Sequence, residues 1–191
     1  AGFGIAEGHP GPRDLIDRIT HAAALHDLGK IDIPDHVLIK PGALTDDEYR
    51  VMQAHTTLGY DRLVSMGIDD PITLNLVRHH HARWDGLGYP DRLAGESIPV
   101  AARYFADIDS IDAMTSVRPY RGTIGEDAAD RALEEIIAGA GTRYWPDAVE
   151  MFTDLYRTGE LGWILHYFND DSPVPVFEGL ASANAAKSRV R

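Results

Sequence analysis

Histidine and aspartate side chains that can bind metal ions recur at wide intervals in this chain, within segments of helical patterning. His26 and Asp27 are adjacent, and neighbouring residues on a helix point about 100° apart, so the pair cannot easily chelate one ion. The pair can serve two ions held close together, with Asp27 as a bridging carboxylate. The other candidate ligands come from three further segments and are His55, His80, His81 and Asp109. A fold that uses all six must bring four segments to one point.

The hydrophobic spacing predicts an all-α fold, a single-domain helical bundle. Apolar residues three and four positions apart predict helices over residues 13–28, 71–83, 126–137 and 146–156. Thr45 and Glu48 have the pattern of a capping box, which predicts a helix that carries His55. Pro99 is expected to open the helix that carries Asp109 near its middle. Residues 161–168 are apolar and aromatic, which is compatible with either a short strand or a packed helix.

Length and composition indicate one domain. The 191 residues show no block of different composition, so we expect a domain over residues 12–180, a flexible lead-in at 1–11 and a frayed tail at 181–191. No segment approaches the roughly 18 apolar residues of a membrane span. The absence of cysteine favours a reducing compartment, so we expect a cytoplasmic protein without membrane association.

The charge balance narrows the class of ligand. The formal net charge is -12, from 30 acidic and 18 basic residues, which argues against long nucleic acid as a partner. An acidic protein still binds a small anion where metal ions and a few arginines reverse the local field. A small phosphate-containing substrate is therefore compatible with this composition.

Several motifs in this order resemble the HD-GYP domain, a branch of the HD-domain metal-dependent phosphohydrolases. They are His26-Asp27-Leu28-Gly29-Lys30, Met52-Gln53-Ala54-His55, His80-His81 before Trp84-Asp85-Gly86-Leu87-Gly88-Tyr89-Pro90, and the stretch 109–121. The resemblance implies an all-helical fold and hydrolysis of cyclic di-GMP to linear pGpG, to GMP, or to both. It also implies a two-metal centre bridged by Asp27. The ligands that it implies are His26, Asp27, His55, His80, His81 and Asp109.

The donor set suits iron or manganese, because four imidazoles and two carboxylates mix nitrogen and oxygen ligands. Zinc, nickel and cobalt are also compatible with these ligand types. Two cations about 3.5–4 Å apart lower the pKa of a shared water, so the expected nucleophile is a metal-bound hydroxide. Asp27 is then catalytic as the bridging ligand. Lys30 either stabilises the developing phosphate charge, which would make it both catalytic and substrate-binding, or joins the metal ligands.

Further residues are expected to bind the substrate. Thr115, Arg118 and Arg121 match family positions that hold the phosphates and guanines of the dinucleotide. Asp112 lies one helical turn after Asp109 and is expected to orient a ligand histidine or a water. The alternative for residues 118–121 is a solvated helix end.

The Gly88-Tyr89-Pro90 loop is associated in the family with substrate entry and with diguanylate cyclase (GGDEF) partners. A second interpretation makes Tyr89 a loop anchor that packs on Trp84. We expect His79 to be exposed and Asp107 to lie on a helix surface. The histidines not expected to bind metal are His9, His21, His36 and His166.

Two departures from the family pattern leave other functions open. Ala82 stands where the family commonly has glutamate. Some family members hold a third metal through an upstream glutamate and histidine, but Glu7 and His9 lie in a Gly-Pro setting, so two ions are expected. The alternatives are a cyclic di-GMP-binding scaffold with little activity and an HD-type hydrolase of another nucleotide.

Overall fold

The computed structural model describes residues 12–115 and 128–161, apart from the side chains of residues 12–14. Within these two stretches the chain forms helices and no β-strand, which confirms the predicted all-α class. The α-helices are α1 (Pro12–Leu25), α2 (Asp35–Leu38), α3 (Asp46–Gln53), α4 (His55–Ser65), α5 (Pro71–His79), α6 (Val100–Thr115), α7 (Ala128–Ala138) and α8 (Pro146–Arg157). The short 3₁₀ helices are Leu28–Asp32 and Gly95–Ser97.

Several predictions concern residues beyond this part of the chain. The lead-in at 1–11, the tail at 181–191 and nearly all of 161–168 lie outside the described residues. No helix in residues 12–115 and 128–161 combines the length and apolar character needed to cross a membrane.

Helix α5 packs against α1, α4 and α6. Its Leu76 is fully buried beside Ala22 of α1 and beside Ala101 and Phe105 of α6. Small side chains on the two neighbouring helices let both approach the leucine closely, so apolar area is removed from water on several sides at once. The C-terminal end of α5 is therefore held firmly among its neighbours.

Helices α7 and α8 pack against α6. Ile111 of α6 belongs to a buried cluster with Ile136 of α7 and Val149 of α8. The turn between α7 and α8 contains Gly141, whose φ of 75° is in the left-handed region that favours glycine. The two helices fold back on each other there and cover one side of α6.

Two helices end earlier than their apolar spacing predicts. Helix α1 ends at residue 25 rather than 28, and α5 ends at residue 79 rather than 83. At the end of α5 the Ala82 N–H donates to the His79 carbonyl, three residues back, so this turn is tighter than an α-helix. The candidate ligands that lie just past these helix ends, rather than in the last helical turns, are His26, Asp27, His80 and His81.

The predicted capping box is confirmed. The Glu48 N–H donates to Thr45 Oγ1 at 3.3 Å, and the Thr45 N–H donates to Glu48 Oε2 at 2.7 Å. The helix that it opens ends at Gln53. The prediction that this helix carries His55 is therefore wrong. His55 is instead the first residue of α4, after a tight turn in which the Ala54 N–H donates to the carbonyl of residue 51.

The 3₁₀ helix Leu28–Asp32 lies directly against α4 because Gly29 has no side chain. A Cβ atom on Gly29 would come within 1.9 Å of the His55 carbonyl oxygen and 2.4 Å of the Gly59 nitrogen. Gly29 therefore lies within the 3₁₀ helix and does not act as the stop of α1. The close approach sets the distance between the His26-Asp27 turn and the start of α4.

Two polar residues expected at the surface are buried. His79 is 8% exposed, and its Nε2 lies 2.9 Å from Asp91 Oδ2. Asp107 is 2% exposed, and neither carboxylate oxygen has a hydrogen-bond partner among residues 12–115 and 128–161. Burial raises the pKa of Asp107 to about 7. Both expectations fail because helices α5 and α6 are each packed against several neighbouring helices, which leaves few positions on either helix in contact with water.

Asp70 caps α5 and joins it to α1. Its Oδ2 accepts hydrogen bonds from the Thr73 N–H at 2.8 Å and the Thr73 hydroxyl at 2.6 Å, and its Oδ1 pairs with Arg18. Burial raises the pKa of Asp70, but the bonds from Arg18 and Thr73 outweigh it and lower the pKa overall. The stabilisation is therefore fully present above the ordinary pKa of 3.8 and is lost as the pH falls through the lowered value.

We predict that Asp70→Ala lowers the free energy of unfolding at pH 7 by about 1–2 kcal/mol, because the first turn of α5 loses its cap. Asp70→Asn keeps an acceptor for the Thr73 N–H and should lose less. Denaturant titration at pH 7 and at pH values well below 3.8 measures both variants, and the difference between wild type and Asp70→Asn should narrow at the lower pH. An alanine variant as stable as wild type would contradict the capping role.

We predict that Asp107→Ala increases the free energy of unfolding at pH 8 by about 1–3 kcal/mol, because it removes an unpaired buried charge. Thermal and denaturant unfolding of the purified protein measure the change. Glu150→Ala is the matched control, since it removes the same charge from an exposed position on α8 and should change stability by less than about 0.5 kcal/mol. Destabilisation of Asp107→Ala would mean that the carboxylate has a stabilising partner.

Candidate metal centre

The six predicted ligands converge on one place in the structure. The turn after α1 supplies His26 and Asp27, and the turn after α5 supplies His80 and His81. The first residue of α4 supplies His55, and the middle of α6 supplies Asp109. The imidazole centroids of His26 and His80 lie 5.1 Å apart, and those of His55 and His81 lie 5.2 Å apart. Side chains from four separate segments therefore share one cluster.

Three of the four imidazoles are held by a backbone carbonyl. Nδ1 of His26 donates to Ala23 O at 2.7 Å, and Nδ1 of His55 donates to Met52 O at 2.7 Å. Nδ1 of His80 donates to Val77 O at 2.9 Å. Each carbonyl lies three residues before its histidine, so the turn geometry itself places the proton on Nδ1. In the neutral ring, Nε2 is then the nitrogen that presents a lone pair to the cluster.

The nitrogen atoms of the cluster have the spacing of metal ligands. Nε2 of His55 lies 3.2 Å from Nε2 of His80, and each of the residues His55, His80 and His81 offers a ligand atom within 4.8 Å of the other two. Nitrogen ligands about 2.1 Å from one ion lie roughly 3.0–3.4 Å apart. Two facing lone pairs at this distance repel each other unless a proton or a cation lies between them, so the donor set fits a bound cation.

The two oxygens of Asp27 face different parts of the cluster. Oδ1 is buried, has no hydrogen-bond partner in the described part of the chain, and lies 3.6 Å from His55 Nε2. Oδ2 lies 3.2 Å from His26 Nε2, which is itself 3.6 Å from Asp109 Oδ1. The carboxylate thus stands between a His55, His80 and His81 group and a His26 and Asp109 group. This arrangement fits a carboxylate that bridges two ions.

Burial keeps the inner imidazoles neutral. It lowers the pKa of His80 to about 3 and that of His81 to about 2, and it lowers the pKa of His55 in the same direction. Neutral imidazole is the form that binds metal. His26 differs, because although burial lowers its pKa, the bond to Asp27 and the nearby carboxylate charges outweigh burial and raise the pKa overall.

The pKa values of the two carboxylates, Asp27 and Asp109, are shifted in opposite directions. Burial tends to raise the pKa of Asp27, but hydrogen bonds from His26 and Lys30 outweigh it and the pKa falls well below its usual range. Burial raises the pKa of Asp109, and the charge of Asp27 adds to the rise while that of His26 opposes it. Lys30 Nζ donates to Asp27 Oδ2 at 2.5 Å, so the lysine reaches the cluster although it stands on a 3₁₀ helix.

A cavity of about 620 Å³ adjoins the cluster between α1, α6 and α8. His26 and Asp109 form one wall, and Asp112 and Thr115 lie along the same side of α6. The Thr115 hydroxyl donates to the Ile111 carbonyl at 2.8 Å. Most of the remaining lining is apolar. Arg118 and Arg121, the other predicted substrate-binding residues, lie outside the described residues.

The loop after α5 lies against the cluster. The Tyr89 ring is 4.8 Å from the His81 ring, whereas Trp84 stacks on Trp145 at 6.2 Å, so the alternative in which Tyr89 packs on Trp84 is wrong. Ala82 packs with Ile98 and Ala102 in an apolar cluster. The histidines His21 and His36 are exposed, and His9 and His166 lie outside the described residues.

Sequence reasoning missed two kinds of residue in the site. Gly29 and Gly59 bring two ligand segments together, and Phe105 packs on the His26 ring with centroids 5.0 Å apart. A signal for the glycines was present, since each lies within four residues of a candidate ligand, Asp27 or His55. Phe105 lies four residues before Asp109, one helical turn away.

The sequence profile described as "HD domain" matches residues 6–148.

The chain belongs to the HD-domain family.

This HD domain is 41% identical over 152 residues to a cyclic di-GMP phosphodiesterase of Thermotoga maritima, covering 75% of this chain and 40% of the relative. It is 45% identical over 133 residues to a cyclic di-GMP phosphodiesterase response regulator of Xanthomonas campestris, covering 69% and 34% of the two chains. These relatives confirm the resemblance to the HD-GYP branch. The matched region spans less than half the length of either relative.

A solved structure has the same helical fold as this HD domain. It is a cyclic GMP-AMP specific phosphodiesterase of Vibrio cholerae, with a TM-score of 0.58 and 17% sequence identity. The match covers 86% of this chain and 46% of the other. At this level of identity the likeness concerns the fold alone.

We predict that Mn(II) raises the melting temperature of the wild-type protein, because an ion that binds only the folded state stabilises it by about 2.7 kcal/mol at 100 times its dissociation constant. Asp27→Ala should remove most of the shift. His36→Ala, which removes an exposed imidazole outside the cluster, should keep it. An equal shift in Asp27→Ala would place the binding site elsewhere.

Proposed function

We propose that this HD domain is a metal-dependent phosphodiesterase that hydrolyses cyclic di-GMP to linear pGpG, GMP or both. The observation that carries the proposal is the position of Asp27, whose two oxygens face two separate groups of nitrogen and oxygen donors. A carboxylate so placed suits a centre of two ions. The proposed domain covers residues 12–180.

The proposed centre holds two divalent ions, iron or manganese. His26 and Asp109 would bind one, His55, His80 and His81 would bind the other, and Asp27 would bind both. Four imidazoles and two carboxylates form the mixed donor set that these metals accept. When bound, a pair of divalent ions lowers the pKa of water and neutralises charge on a phosphate.

The protein's own groups prepare this site in several ways. Carbonyl oxygens hold the proton of His26, His55 and His80 on Nδ1, which leaves Nε2 free to bind. Lys30 donates to Asp27 Oδ2 and orients the carboxylate while adding a positive charge beside the position of the phosphate. Lys30 is therefore proposed as a catalytic and substrate-binding residue.

The substrate is proposed to reach the cluster from the adjoining cavity. Asp112 and Thr115 lie on the cavity wall together with Asp109, which supports a role for this side of α6 in substrate binding. Arg118 and Arg121 follow on the same segment and are proposed to hold phosphate and guanine through their planar guanidinium groups. The cations and these arginines would attract an anion that the overall charge of -12 repels.

Relatives with other named substrates suggest a second candidate. This chain is 35% identical over 153 residues to a 3'3'-cGAMP-specific phosphodiesterase of Vibrio cholerae, a match that covers 80% of this chain and 28% of the relative. Both substrates are cyclic dinucleotides with the same pair of phosphodiester bonds, so the metal chemistry would be the same and base recognition would decide between them.

The loop beside the site is the proposed contact for a diguanylate cyclase partner. Leu87 is 77% exposed at its tip, while Gly88 is buried and the Tyr89 ring faces inward. In such a contact Leu87 would be the residue that meets the partner protein.

We predict that the purified chain, loaded anaerobically with Fe(II) or Mn(II), hydrolyses cyclic di-GMP. Loss of a residue that only hydrogen-bonds to a metal ligand lowers activity by roughly 10–100-fold. His26→Ala and Asp27→Ala remove proposed ligands themselves and should lower kcat/KM by more than this. Chromatography of the products identifies pGpG and GMP, and parallel reactions with cyclic GMP-AMP and a nucleoside triphosphate test the competing substrates.

His36→Ala is the control, since it should keep full activity. Tight binding of cyclic di-GMP without turnover by the metal-loaded wild type would overturn the proposal in favour of a binding scaffold. Faster hydrolysis of the triphosphate would assign the site to another nucleotide hydrolase.

A further inference from the structure

His81 differs from the other three imidazoles of the cluster. His26, His55 and His80 each donate from Nδ1 to the backbone carbonyl three residues earlier, at 2.7–2.9 Å. In the part of the chain that the structure describes, no hydrogen bond of this kind is made by the His81 ring. The ring contacts that the structure describes for His81 are with His55, His80 and Tyr89.

The His80 and His55 ring centroids lie 4.2 and 5.2 Å from that of His81, and the Tyr89 ring is the neighbour among these three that is not a candidate ligand. It lies along the His81 ring with a centroid distance of 4.8 Å and an angle of 31° between the planes. The same tyrosine meets the His55 ring edge-on at 6.4 Å. Offset and edge-on contacts of this kind each favour a particular ring geometry. Burial raises the pKa of Tyr89, so the phenol stays neutral and contributes contact rather than charge.

The backbone brings Tyr89 to this position. The Tyr89 N–H donates to the His81 carbonyl at 3.3 Å. Gly88 makes this possible, because a Cβ atom there would lie 2.5 Å from the same carbonyl oxygen and 2.4 Å from the Arg83 nitrogen. The loop thus folds back on the turn that carries His81, the residue that Tyr89 contacts.

The far side of the loop is anchored to the α7–α8 turn. The Trp84 N–H donates to Arg143 O at 3.1 Å, and the Asp85 N–H donates to Thr142 O at 2.8 Å. Trp84 also stacks on Trp145 with 17° between the planes. The loop that carries Tyr89 is therefore held in place by contacts with the α7–α8 turn.

We propose that Tyr89 is a positioning residue whose ring orients His81, so that this imidazole joins His55 and His80 as a third nitrogen ligand to one ion. Tyr89 acts through His81 and does not touch the substrate. The inference rests on the proposed function only in requiring that the cluster binds metal. Because the contact is made by the ring face, phenylalanine should replace tyrosine and a smaller side chain should not.

The test measures Mn(II) binding to the full chain by equilibrium dialysis, with wild type first. Tyr89→Ala should weaken the affinity for one ion by roughly 10–100-fold, as expected when a group that orients a ligand is lost. Tyr89→Phe should bind like wild type. Leu87→Ala, an exposed position in the same loop, should also bind like wild type.

A double-mutant cycle tests whether Tyr89 acts on metal binding through His81. In a His81→Ala background, Tyr89→Ala should cause no further loss, because the group it orients is already absent. Tyr89→Leu keeps the bulk without the flat ring, should bind weakly, and serves if the alanine variant fails to fold. A further loss in the double variant, or weak binding by Tyr89→Phe, would overturn the inference. Wild type that binds neither Mn(II) nor, under anaerobic conditions, Fe(II) would instead refute the proposed function.

Discussion

The close approach of Gly29 to the first turn of α4 is the constraint on which the site depends. No other residue type can stand there, since even a methyl group would overlap the His55 carbonyl oxygen. The contact sets the separation between the turn after α1 and the start of α4 to within the reach of Asp27 and His55 side chains. Two of the four ligand segments are thus joined through backbone atoms, which deform less than side chains.

Around this contact the protein assembles a centre that is costly without a cation. The structure brings lone pairs of His55 and His80 face to face and leaves one oxygen of Asp27 buried without a donor. Each feature alone destabilises the fold. Together they form a set of donors that a bound cation would satisfy. The burial that keeps His80 and His81 neutral also prevents protons from filling the same role at neutral pH.

Much of the site was predictable because its chemistry is encoded in residue identity and order. The ligand types and the Thr45 capping box depend on local sequence and needed no knowledge of packing. Where helices end depended instead on tertiary contacts, such as the approach of Gly29 to α4. The burial of Asp107 and of His79 was missed for the same reason, since both helices are surrounded on more sides than an amphipathic pattern implies.

The anchoring of the Trp84 loop has a consequence for the thermodynamics of ligand uptake. Its hydrogen bonds to residues 142 and 143 and its indole stack belong to the folded scaffold and involve no group of the cluster. The Trp84 loop therefore loses its conformational entropy when the protein folds. Less remains to be lost when an ion or an anion arrives, which favours tighter association for the same contacts.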